Sequence, residues 1–353
     1  MLARAIGYPS ILIPPVLVPL SLMTGTPALA FIGLILFAPL LRVIFGDAND
    51  SPPEWSEWLA SLLEWLPVAG ALVYVGATVA ALSMLHGAKV PNETLAWFGS
   101  SLWAVFLFGS CVAHELVHRS DGLSRNAGRV LSGLIGYPFL EHEHRAHHLQ
   151  NGNSDAGECA RLDESVWAFT LRRLAHVVSK AHEADMHMAA RRGHRLAGGL
   201  PLSLAAMLAT AIGFTWAAGP AGLIMYAVVA CAVAWAIQAI TYIQHWGLGS
   251  DGLGDVQVAD LGWEDHCRLQ SWLTLGISFH QAHHRSSSVP YYRLQPAQDS
   301  PKAPAGYVVL FFISLVPPLW RALMAPALLR WQQAPHTQRT AGRTLLCLKL
   351  KDG

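Results

Sequence analysis

Charged residues are scarce in this sequence. Lys, Arg, Asp and Glu make up 13% of its 353 residues, about half the share found in an average soluble domain. Hydrophobic residues make up 53%, and the mean hydropathy is +0.34. This composition argues against a soluble enzyme and indicates an integral membrane protein. The net charge is only +1, which lacks the concentrated basic surface that nucleic-acid binding needs, so we expect no nucleic-acid partner.

Cysteine is scarce as well. The five cysteines form no CxxC pair and lie far apart, at Cys111, Cys159, Cys231, Cys267 and Cys347. An odd, scattered set indicates reduced thiols that face the cytoplasm or lipid, rather than a disulfide framework. The chain also lacks low-complexity tracts and internal repeats. We therefore expect a single membrane-embedded domain over residues 1–353.

Six apolar runs each approach the roughly 20 residues that a membrane-spanning helix needs. They lie near residues 8–24, 28–45, 66–86, 95–113, 198–218 and 221–243. Short connectors join them in pairs, which predicts an all-α integral membrane protein of about six transmembrane helices in three hairpins. A seventh run, 306–320, is shorter and contains Pro317 and Pro318. We expect that run to be interfacial or re-entrant.

Lysine and arginine predict the orientation of these helices, because both accumulate in cytoplasmic loops. Segment 114–197 contains eleven of the 24 and segment 244–353 contains ten, whereas the short connectors contain only Lys89. Both segments and both termini are therefore predicted to face the cytoplasm from a bacterial-type inner membrane. Within the first segment, residues 165–195 mix basic and apolar side chains at helical spacing, which predicts a helix on the membrane surface. Cleavage of a signal peptide after "TPALA" would instead reverse this topology.

Histidines are concentrated in the two predicted cytoplasmic segments. Two of them are four residues apart in "HELVH" and share a helical face. The stretches "HRAHH" and "HQAHH" each place three at i, i+3 and i+4, again on one face, and another histidine ends the sixth apolar run. The nine residues of this set are His114, His118, His144, His147, His148, His245, His280, His283 and His284. Together they predict a histidine-rich cytoplasmic cap.

Metal binding explains this concentration best. Clustered imidazoles repel one another when protonated, but neutral imidazoles coordinate cations. Nine donors exceed the roughly four that one zinc ion uses, so we predict two metal ions. Imidazole suits zinc, copper, iron and nickel, so the ligand type leaves the identity of the metal open. Carboxylates often orient metal-binding histidines, and the candidates for that role are Glu115, Glu141, Glu143, Asp155 and Glu158.

Two other kinds of function share some of these features. "HELVH" matches the HExxH motif of zinc proteases, in which Glu115 would be the general base. That interpretation leaves about six histidines without a role. A metal transporter would place ionisable residues in the middle of the membrane, and the six apolar runs contain almost none. Both alternatives therefore explain less of the sequence.

The histidine motifs and their flanks resemble those of the membrane-bound non-haem di-iron monooxygenases, the family of alkane 1-monooxygenase and xylene monooxygenase. These enzymes belong to the wider histidine-box superfamily of membrane fatty-acid desaturases and hydroxylases. The likeness extends from about residue 40 to 331 and includes "FGDANDSPPE", "ARLDESVWAF" and "PYYRLQPAQDSPKAPAGYVVLFFISLVPPLW". It implies that the nine histidines bind two iron ions. Dioxygen would be the oxidant, and a rubredoxin- or ferredoxin-type protein with its reductase would donate electrons.

The resemblance also implies a reaction. The expected activity is hydroxylation of an unactivated terminal or methyl C–H bond in an apolar alkane or alkyl-aromatic molecule that enters from the bilayer. The side chains that could line its channel are Trp97, Trp103, Phe106 and Phe108. A fatty-acid desaturase, hydroxylase or alkene-forming decarboxylase on the same scaffold is the alternative. In that case Arg119, Arg145 or Arg285 would bind the acyl carboxylate.

Three features depart from the alkane hydroxylase pattern. The second histidine motif can begin at His142 or at His144, and helical spacing favours His144. Gln244 and Trp246 stand where the family has glutamate and tyrosine, around the histidine that ends the sixth run. Arg119 stands where a lysine is common. Because Gln244 replaces the glutamate, the carboxylate that would support His245 is absent or is supplied from elsewhere in the fold.

Overall fold

The computed structural model describes residues 6–48, 54–150, 158–193, 198–248 and 261–334. Within those residues the regular secondary structure is helical, apart from two isolated β-bridges. We number the principal helices in chain order. They are α1 (Tyr8–Met23), α2 (Leu29–Leu40), α3 (Glu57–Leu85), α4 (Asn92–Val117), α5 (Gly122–Leu134), α6 (Leu140–Gln150), α7 (Val166–Arg192), α8 (Leu200–His245), α9 (Arg268–Leu273), α10 (His280–Arg285), α11 (Tyr307–Ser314) and α12 (Pro317–Gln333).

Three of these helices, α3, α4 and α8, are long and apolar enough to cross a bilayer. The first and second predicted runs form the shorter apolar helices α1 and α2. Run 306–320 is divided between α11 and α12, and α11 has only 8 residues, a length of about 12 Å. No disulfide joins the four cysteines in the described part of the chain, and Cys347 lies outside it.

The longest helix, α8, contains a sharp break. Ala218 and Gly219 have non-helical backbone angles, and Gly219 has a φ of 63°, in the left-handed region that favours glycine. Pro220 follows and has no N–H to donate. The rings of Phe214, before the break, and Tyr226, after it, lie 5.5 Å apart, although a straight helix would separate these positions by about 18 Å. The two halves of α8 therefore fold back on each other between the predicted fifth and sixth runs.

Helix α5 packs closely against α8. A Cβ atom on Gly133 would lie 2.1 Å from the carbonyl oxygen of Ser203, so only glycine allows this approach. The Tyr226 hydroxyl of α8 donates to the Gly133 carbonyl at 3.1 Å. Helix α5 begins after Asp121, whose carboxylate accepts a hydrogen bond from the Ser124 N–H at 2.8 Å. This packing holds the start of α6 against the apolar helices.

Helix α7 corresponds to the predicted surface helix over residues 165–195. Its N-cap is Ser165, whose hydroxyl accepts a hydrogen bond from the Ala168 N–H at 3.3 Å. One side of the helix is buried against the rest of the protein and includes Phe169, Arg173 and Val177. The opposite side exposes a second apolar row, formed by Trp167, Leu171, Val178 and Met186. An exposed row of this kind beside an apolar helix suits contact with lipid.

Candidate metal centre

Four elements converge at one end of the bundle and carry the nine predicted histidines. The last turn of α4 provides His114, and His118 caps that helix. Helix α6 provides three histidines, α8 ends at His245, and α10 provides the last three. Most of the nine rings are buried, although histidine is a residue of only intermediate tendency to be buried.

The nine side chains form two adjacent groups. In each group the potential ligand atoms all lie within 4.8 Å of one another. The five-histidine group consists of His114, His118, His144, His148 and His283. The four-histidine group consists of His147, His245, His280 and His284.

Each HxxHH motif contributes to both groups. His144 and His148, four residues apart on α6, belong to the five-histidine group, whereas His147 belongs to the other. In α10 the arrangement is reversed, because His280 and His284 belong to the four-histidine group. Residues four apart point in nearly the same direction, and adjacent residues differ by about 100°. The face that the sequence predicted is therefore shared between two sites.

The ring nitrogens have the spacing expected of ligands to a common ion. In the four-histidine group, His245 Nε2 lies 2.7 Å from His280 Nε2 and 3.1 Å from His147 Nε2. In the five-histidine group, His144 Nε2 lies 2.5 Å from His118 Nε2 and 2.8 Å from His148 Nε2. Two nitrogens at right angles, each about 2.1 Å from one ion, would be about 3.0 Å apart. The donors therefore fit two bound metal ions.

Burial lowers the pKa of several of these imidazoles. Loss of solvation lowers the pKa of His118 to about 4, with Arg145 and Arg119 adding to the effect. The same cause, followed by repulsion from neighbouring histidines, lowers the pKa of His148 to about 3. The pKa of His283 is also well below its usual value, again mainly because of burial. A neutral imidazole is the form that binds metal, so these three rings are prepared for coordination at neutral pH.

Of the four candidate carboxylates that the structure describes, one hydrogen-bonds to a predicted ligand. Glu158 Oε2 accepts a hydrogen bond from His147 Nδ1 at 2.9 Å. Glu141 instead pairs with Arg129, and Asp155 lies outside the described residues. The remaining two also pair with arginines: Glu115 with Arg119 at 2.7 Å, and Glu143 with Arg173.

The structure distinguishes the two candidates for the start of the second motif. His144 Nε2 faces other histidines, whereas His142 Nε2 lies 3.0 Å from Asp185 Oδ1 and belongs to neither group. The structure also shows what supports His245 in place of the glutamate that the family pattern has before it. His245 Nδ1 donates to the carbonyl oxygen of Leu261 at 3.1 Å, rather than to the side chain of Gln244.

One functional carboxylate is absent from the sequence-based set. Glu264 is fully buried. It accepts hydrogen bonds from the backbone N–H of Ala282 and of Ala297, both at 2.9 Å, and from the Ser300 hydroxyl. Ala282 lies inside α10, so Glu264 fixes the position of the third histidine motif. In the sequence it lies in "GWEDHCR" among other charged and polar residues, so nothing there distinguishes it from its neighbours.

An apolar cavity of about 140 Å³ adjoins both groups. One end is formed by His114 and His144 of the five-histidine group and by His147 and His280 of the four-histidine group. The walls are formed by α4, the second half of α8, and α11, with the side chains Trp103, Leu107, Phe108, Ile237, Ile240, Val308, Phe311 and Phe312. Cavities of this size admit a molecule the size of benzene.

Two of the four predicted channel residues line this cavity. Trp103 and Phe108 do so, whereas Phe106 is buried outside the lining and Trp97 is 51% exposed on the outer side of α4. Trp103 also lines a second hollow, a groove of about 600 Å³ between α4 and the second half of α8. Its indole N–H donates to the carbonyl oxygen of Ala232 at 3.3 Å. Trp103 therefore stands between the groove and the cavity.

The arrangement of the zinc-protease motif also bears on function. Glu115 would have to face a bound metal to act as a general base. Instead its carboxylate pairs with Arg119, which pairs in turn with Glu64 at 2.5 Å. His114 and His118 share their group with three further histidines, more donors than a catalytic zinc site uses.

The chain is similar to several known proteins. A family model described as fatty acid desaturase matches residues 92–314, which include all nine histidines. The chain is 27% identical to alkane 1-monooxygenase 1 of Pseudomonas aeruginosa, over 86% of this chain and 83% of that protein. It is 24% identical to alkane 1-monooxygenase 2 of Alcanivorax borkumensis, over 82% and 79% respectively. It is 28% identical to the xylene/toluene monooxygenase hydroxylase component of Pseudomonas putida, over 63% and 61%.

Proposed function

The chain belongs to the fatty acid desaturase family, and from this premise we propose that it is a membrane-bound di-iron monooxygenase. It hydroxylates an unactivated terminal or methyl C–H bond of an apolar alkane or alkyl-aromatic molecule. The observation that carries this proposal is the position of two imidazole groups at the end of an apolar cavity. Its relatives are named for alkane and for xylene or toluene oxidation, which supports the same chemistry.

The two histidine groups are the proposed iron sites. The five-histidine group would hold one ion and the four-histidine group the other, and imidazole suits iron. Iron bound there supplies the redox chemistry, in which dioxygen, two electrons, two protons and the C–H compound give an alcohol and water. Zinc has no such redox chemistry and uses about four ligands, so it accounts for the five-histidine group less well.

The protein itself contributes orientation and exclusion of water. Most of the cavity surface is apolar and comes from side chains such as Trp103, Phe108 and Ile240, so an apolar substrate is held mainly by shape. At the far end, His144 and His147 approach the cavity from different groups and define where the reacting methyl group must lie. The burial of these rings keeps bulk water from the reacting carbon.

The substrate would enter from lipid. Phe312 lines the cavity and is also 42% exposed on the outer surface of α11. The groove between α4 and α8 offers a second approach that reaches Trp103. Both routes are lined mainly by apolar side chains, which suits a hydrocarbon that partitions into the bilayer.

The acyl-chain alternative has less support. Arg119 is paired with Glu115 and Glu64. Arg285 forms two hydrogen bonds to Asp299, at 2.6 and 2.7 Å. Arg145 is exposed on the outer surface and does not line the apolar cavity. A substrate carboxylate would therefore have to displace an existing partner of Arg119 or Arg285. The arginine that does line the cavity, Arg173, is already paired with Glu143 and Glu158.

Several further features belong to the same proposal. The chain forms one domain over residues 1–353, with six membrane passages in three hairpins, and the reversal within α8 supports the third hairpin. The histidine-rich end and both termini face the cytoplasm of a bacterial-type inner membrane. A rubredoxin- or ferredoxin-type protein with its reductase delivers the electrons there.

Metal analysis of detergent-purified protein tests the function most directly. We expect about two iron ions per chain by elemental analysis, and a Mössbauer spectrum of an iron-57-labelled sample that reports high-spin non-haem sites. Supplied with electrons, the protein should convert alkanes or alkylbenzenes to alcohols faster than it converts fatty acids. One zinc ion and no iron would contradict the proposal and favour a protease.

A reporter fusion tests the orientation. Green fluorescent protein fused to the C-terminus should fluoresce, and alkaline phosphatase at the same position should be inactive, because the terminus faces the cytoplasm. The opposite pair of results would mean that the histidine-rich end lies outside the inner membrane, as a cleaved signal peptide would require.

A further inference from the structure

A buried network of charged and polar side chains lies directly behind the four-histidine group. Its centre is Arg173 of α7, whose side chain is 1% exposed. The guanidinium donates to Glu158 at 2.8 Å, and also to Glu143 and to Gln238. The Tyr137 hydroxyl donates to Glu143 as well. The network therefore joins α6, α7, α8 and the segments that precede α6 and α7.

Glu158 connects this network to a proposed metal ligand. A single oxygen, Oε2, accepts hydrogen bonds from Arg173 Nη2 at 2.8 Å and from His147 Nδ1 at 2.9 Å. An imidazole that donates from Nδ1 has its lone pair on Nε2, and His147 Nε2 faces His245 and His284 at 3.1 Å. The Arg173–Glu158 pair therefore selects the tautomer and the ring orientation in which His147 can bind a metal.

The network also places net negative charge beside the four-histidine group. Glu143 and Glu158 each carry one negative formal charge, and Arg173 carries one positive charge. Burial lowers the pKa of Arg173 to about 10, so its guanidinium remains protonated at neutral pH. The excess negative charge lies in a region shielded from water, where it attracts a cation more strongly than it would at the surface.

The five-histidine group has no comparable support in the part of the chain that the structure describes. His114 Nδ1 is buried there without a hydrogen-bond partner, as is His280 Nδ1 of the other group, so the contrast between the groups lies in the contacts of His147 Nδ1 to Glu158 and of His245 Nδ1 to the Leu261 carbonyl. The polar contacts of His118 and His148 are to other histidines rather than to carboxylates. The two groups thus differ in both charge and orientation, although every donor in them is an imidazole.

We propose that Arg173 is a positioning residue that acts through Glu158 on His147 and makes the four-histidine group the tighter of the two metal sites. The inference rests on the proposed function in one respect only, namely that the two groups bind metal ions. It requires neither that the metal be iron nor that the protein be a hydroxylase. The four-histidine site should fill first on reconstitution and release its metal last.

The test is metal content and metal release in full-length, detergent-purified variants. Glu158→Gln keeps the shape of the side chain but removes its charge, Arg173→Met removes the guanidinium, and Arg173→Lys retains a cation. Wild-type protein should hold about two metal ions and release them to a chelator in two phases. Glu158→Gln and Arg173→Met should speed the slow phase by roughly 10- to 100-fold. Arg173→Lys should lie between them and wild type.

Arg172 provides a matched control. It precedes Arg173 on α7 and forms a comparable ion pair with Glu164, but its side chain is 32% exposed. Arg172→Met should therefore retain both metals and the slow phase. Mössbauer spectra identify which group holds the iron when only one ion per chain is supplied. His280→Ala lacks a donor of the four-histidine group and should show only the signal of the five-histidine group, whereas His118→Ala should show only the signal of the four-histidine group. Glu158→Gln should give the same signal as His280→Ala.

The outcomes separate the inference from the proposed function. Wild-type protein with two zinc ions would contradict the monooxygenase proposal, and the release rates would still test whether Arg173 acts through Glu158 on His147. Unchanged slow release in Glu158→Gln would overturn the inference, as would acceleration of the fast phase only. If Arg173→Met does not yield folded protein, Glu158→Gln and Arg173→Lys decide. Both substitutions are close in size to the native residues. Faster release of the slow-phase metal from Glu158→Gln than from Arg173→Lys supports the action of Arg173 through Glu158.

Discussion

His142 and His144 show how sharply the environment changes between neighbouring positions. They lie two residues apart on α6, which rotates their side chains by about 200° relative to each other. His144 faces His118 and His148, and His142 faces Asp185. Asp185 also accepts a hydrogen bond from the Leu200 N–H at 2.9 Å, so His142 belongs to a contact that fixes the start of α8. The two histidines should therefore serve metal binding and stability separately.

Alanine substitution distinguishes these roles. His144→Ala should lose about one metal ion per chain and nearly all hydroxylation, because the five-histidine group loses a donor. His142→Ala should retain both metals but unfold more easily by about 1–3 kcal/mol, since a buried carboxylate loses a partner. Elemental analysis and thermal unfolding of the two purified variants check this. Full metal content in His144→Ala would rule out its role as a ligand.

At the scale of the element, α4 connects the apolar cavity with the five-histidine group. Its final turn carries His114, and Trp103, three turns earlier, separates the cavity from the groove beside α8. Trp103 also packs against Phe31 of α2 and Phe311 of α11, with ring centroids 6.2 and 5.9 Å away. A change in this one side chain alters the depth of the cavity without touching a histidine.

Truncation of this tryptophan should change the size of the preferred substrate. Trp103→Ala would join the cavity to the groove, so turnover should shift toward longer alkyl chains. We expect the preference for a long chain over a short one to change by about 10-fold or more. Trp97→Ala, on the exposed side of the same helix, is the control and should leave the preference unchanged. Product analysis with mixed alkanes measures both, and equal profiles would exclude Trp103 as a boundary of the site.

Two glycines with positive φ angles, one within α8 and one packed against it, should differ in how much stability they lose on substitution by alanine. Gly219 has a φ of 63° and open space around it, whereas Gly136 has a φ of 81° and a Cβ there would lie 2.3 Å from the Ala230 Cβ. Gly219→Ala should cost about 1–2 kcal/mol of strain. Gly136→Ala adds a steric clash to that strain, so its unfolding temperature should be clearly lower. Similar unfolding temperatures would contradict this difference.

At the scale of the whole molecule, the proposed metal sites join helices that are distant in sequence. The four-histidine group alone contains residues of α6, α8 and α10. Buried arginines add further cross-links: Arg129 of α5 pairs with Glu141 of α6, and Arg173 of α7 with Glu143 of α6. Bound metal should therefore stabilise the native fold as well as supply its chemistry.

Metal removal should lower stability. A ligand present at about 1,000 times its dissociation constant contributes about 4 kcal/mol of folding free energy. Chelation of wild-type protein should thus reduce the unfolding temperature by several degrees, and added ferrous iron should restore it. The same chelator should have little effect on a His144→Ala, His147→Ala double variant, which lacks a donor in each group. An equal effect on both proteins would mean that the chelator acts elsewhere.

The spacing of residues along the chain was enough to predict that the imidazoles cluster. Positions i, i+3 and i+4 share a helical face wherever a helix forms, so "HRAHH" and "HQAHH" predict clustered imidazoles without knowledge of the fold. Of the six predicted spanning runs, the last four lie in the three long helices, because α8 contains two of them, whereas the first two form shorter apolar helices. The resemblance to known monooxygenases then supplied the reaction.

Tertiary structure alone decided how these residues are combined. The division of each motif between two groups depends on which helices face α6 and α10, and spacing within a helix contains no such information. Glu158, Glu143 and Glu141 appeared equivalent in the sequence, and all three pair with arginines, yet only Glu158 also accepts a hydrogen bond from a histidine of the two groups. Arg172 and Arg173 are adjacent and chemically identical, so only the packing of α7 shows which one is buried. The physical reason is that hydrogen bonds and metal sites depend on distances of about 2–3 Å between side chains that only the folded chain brings together.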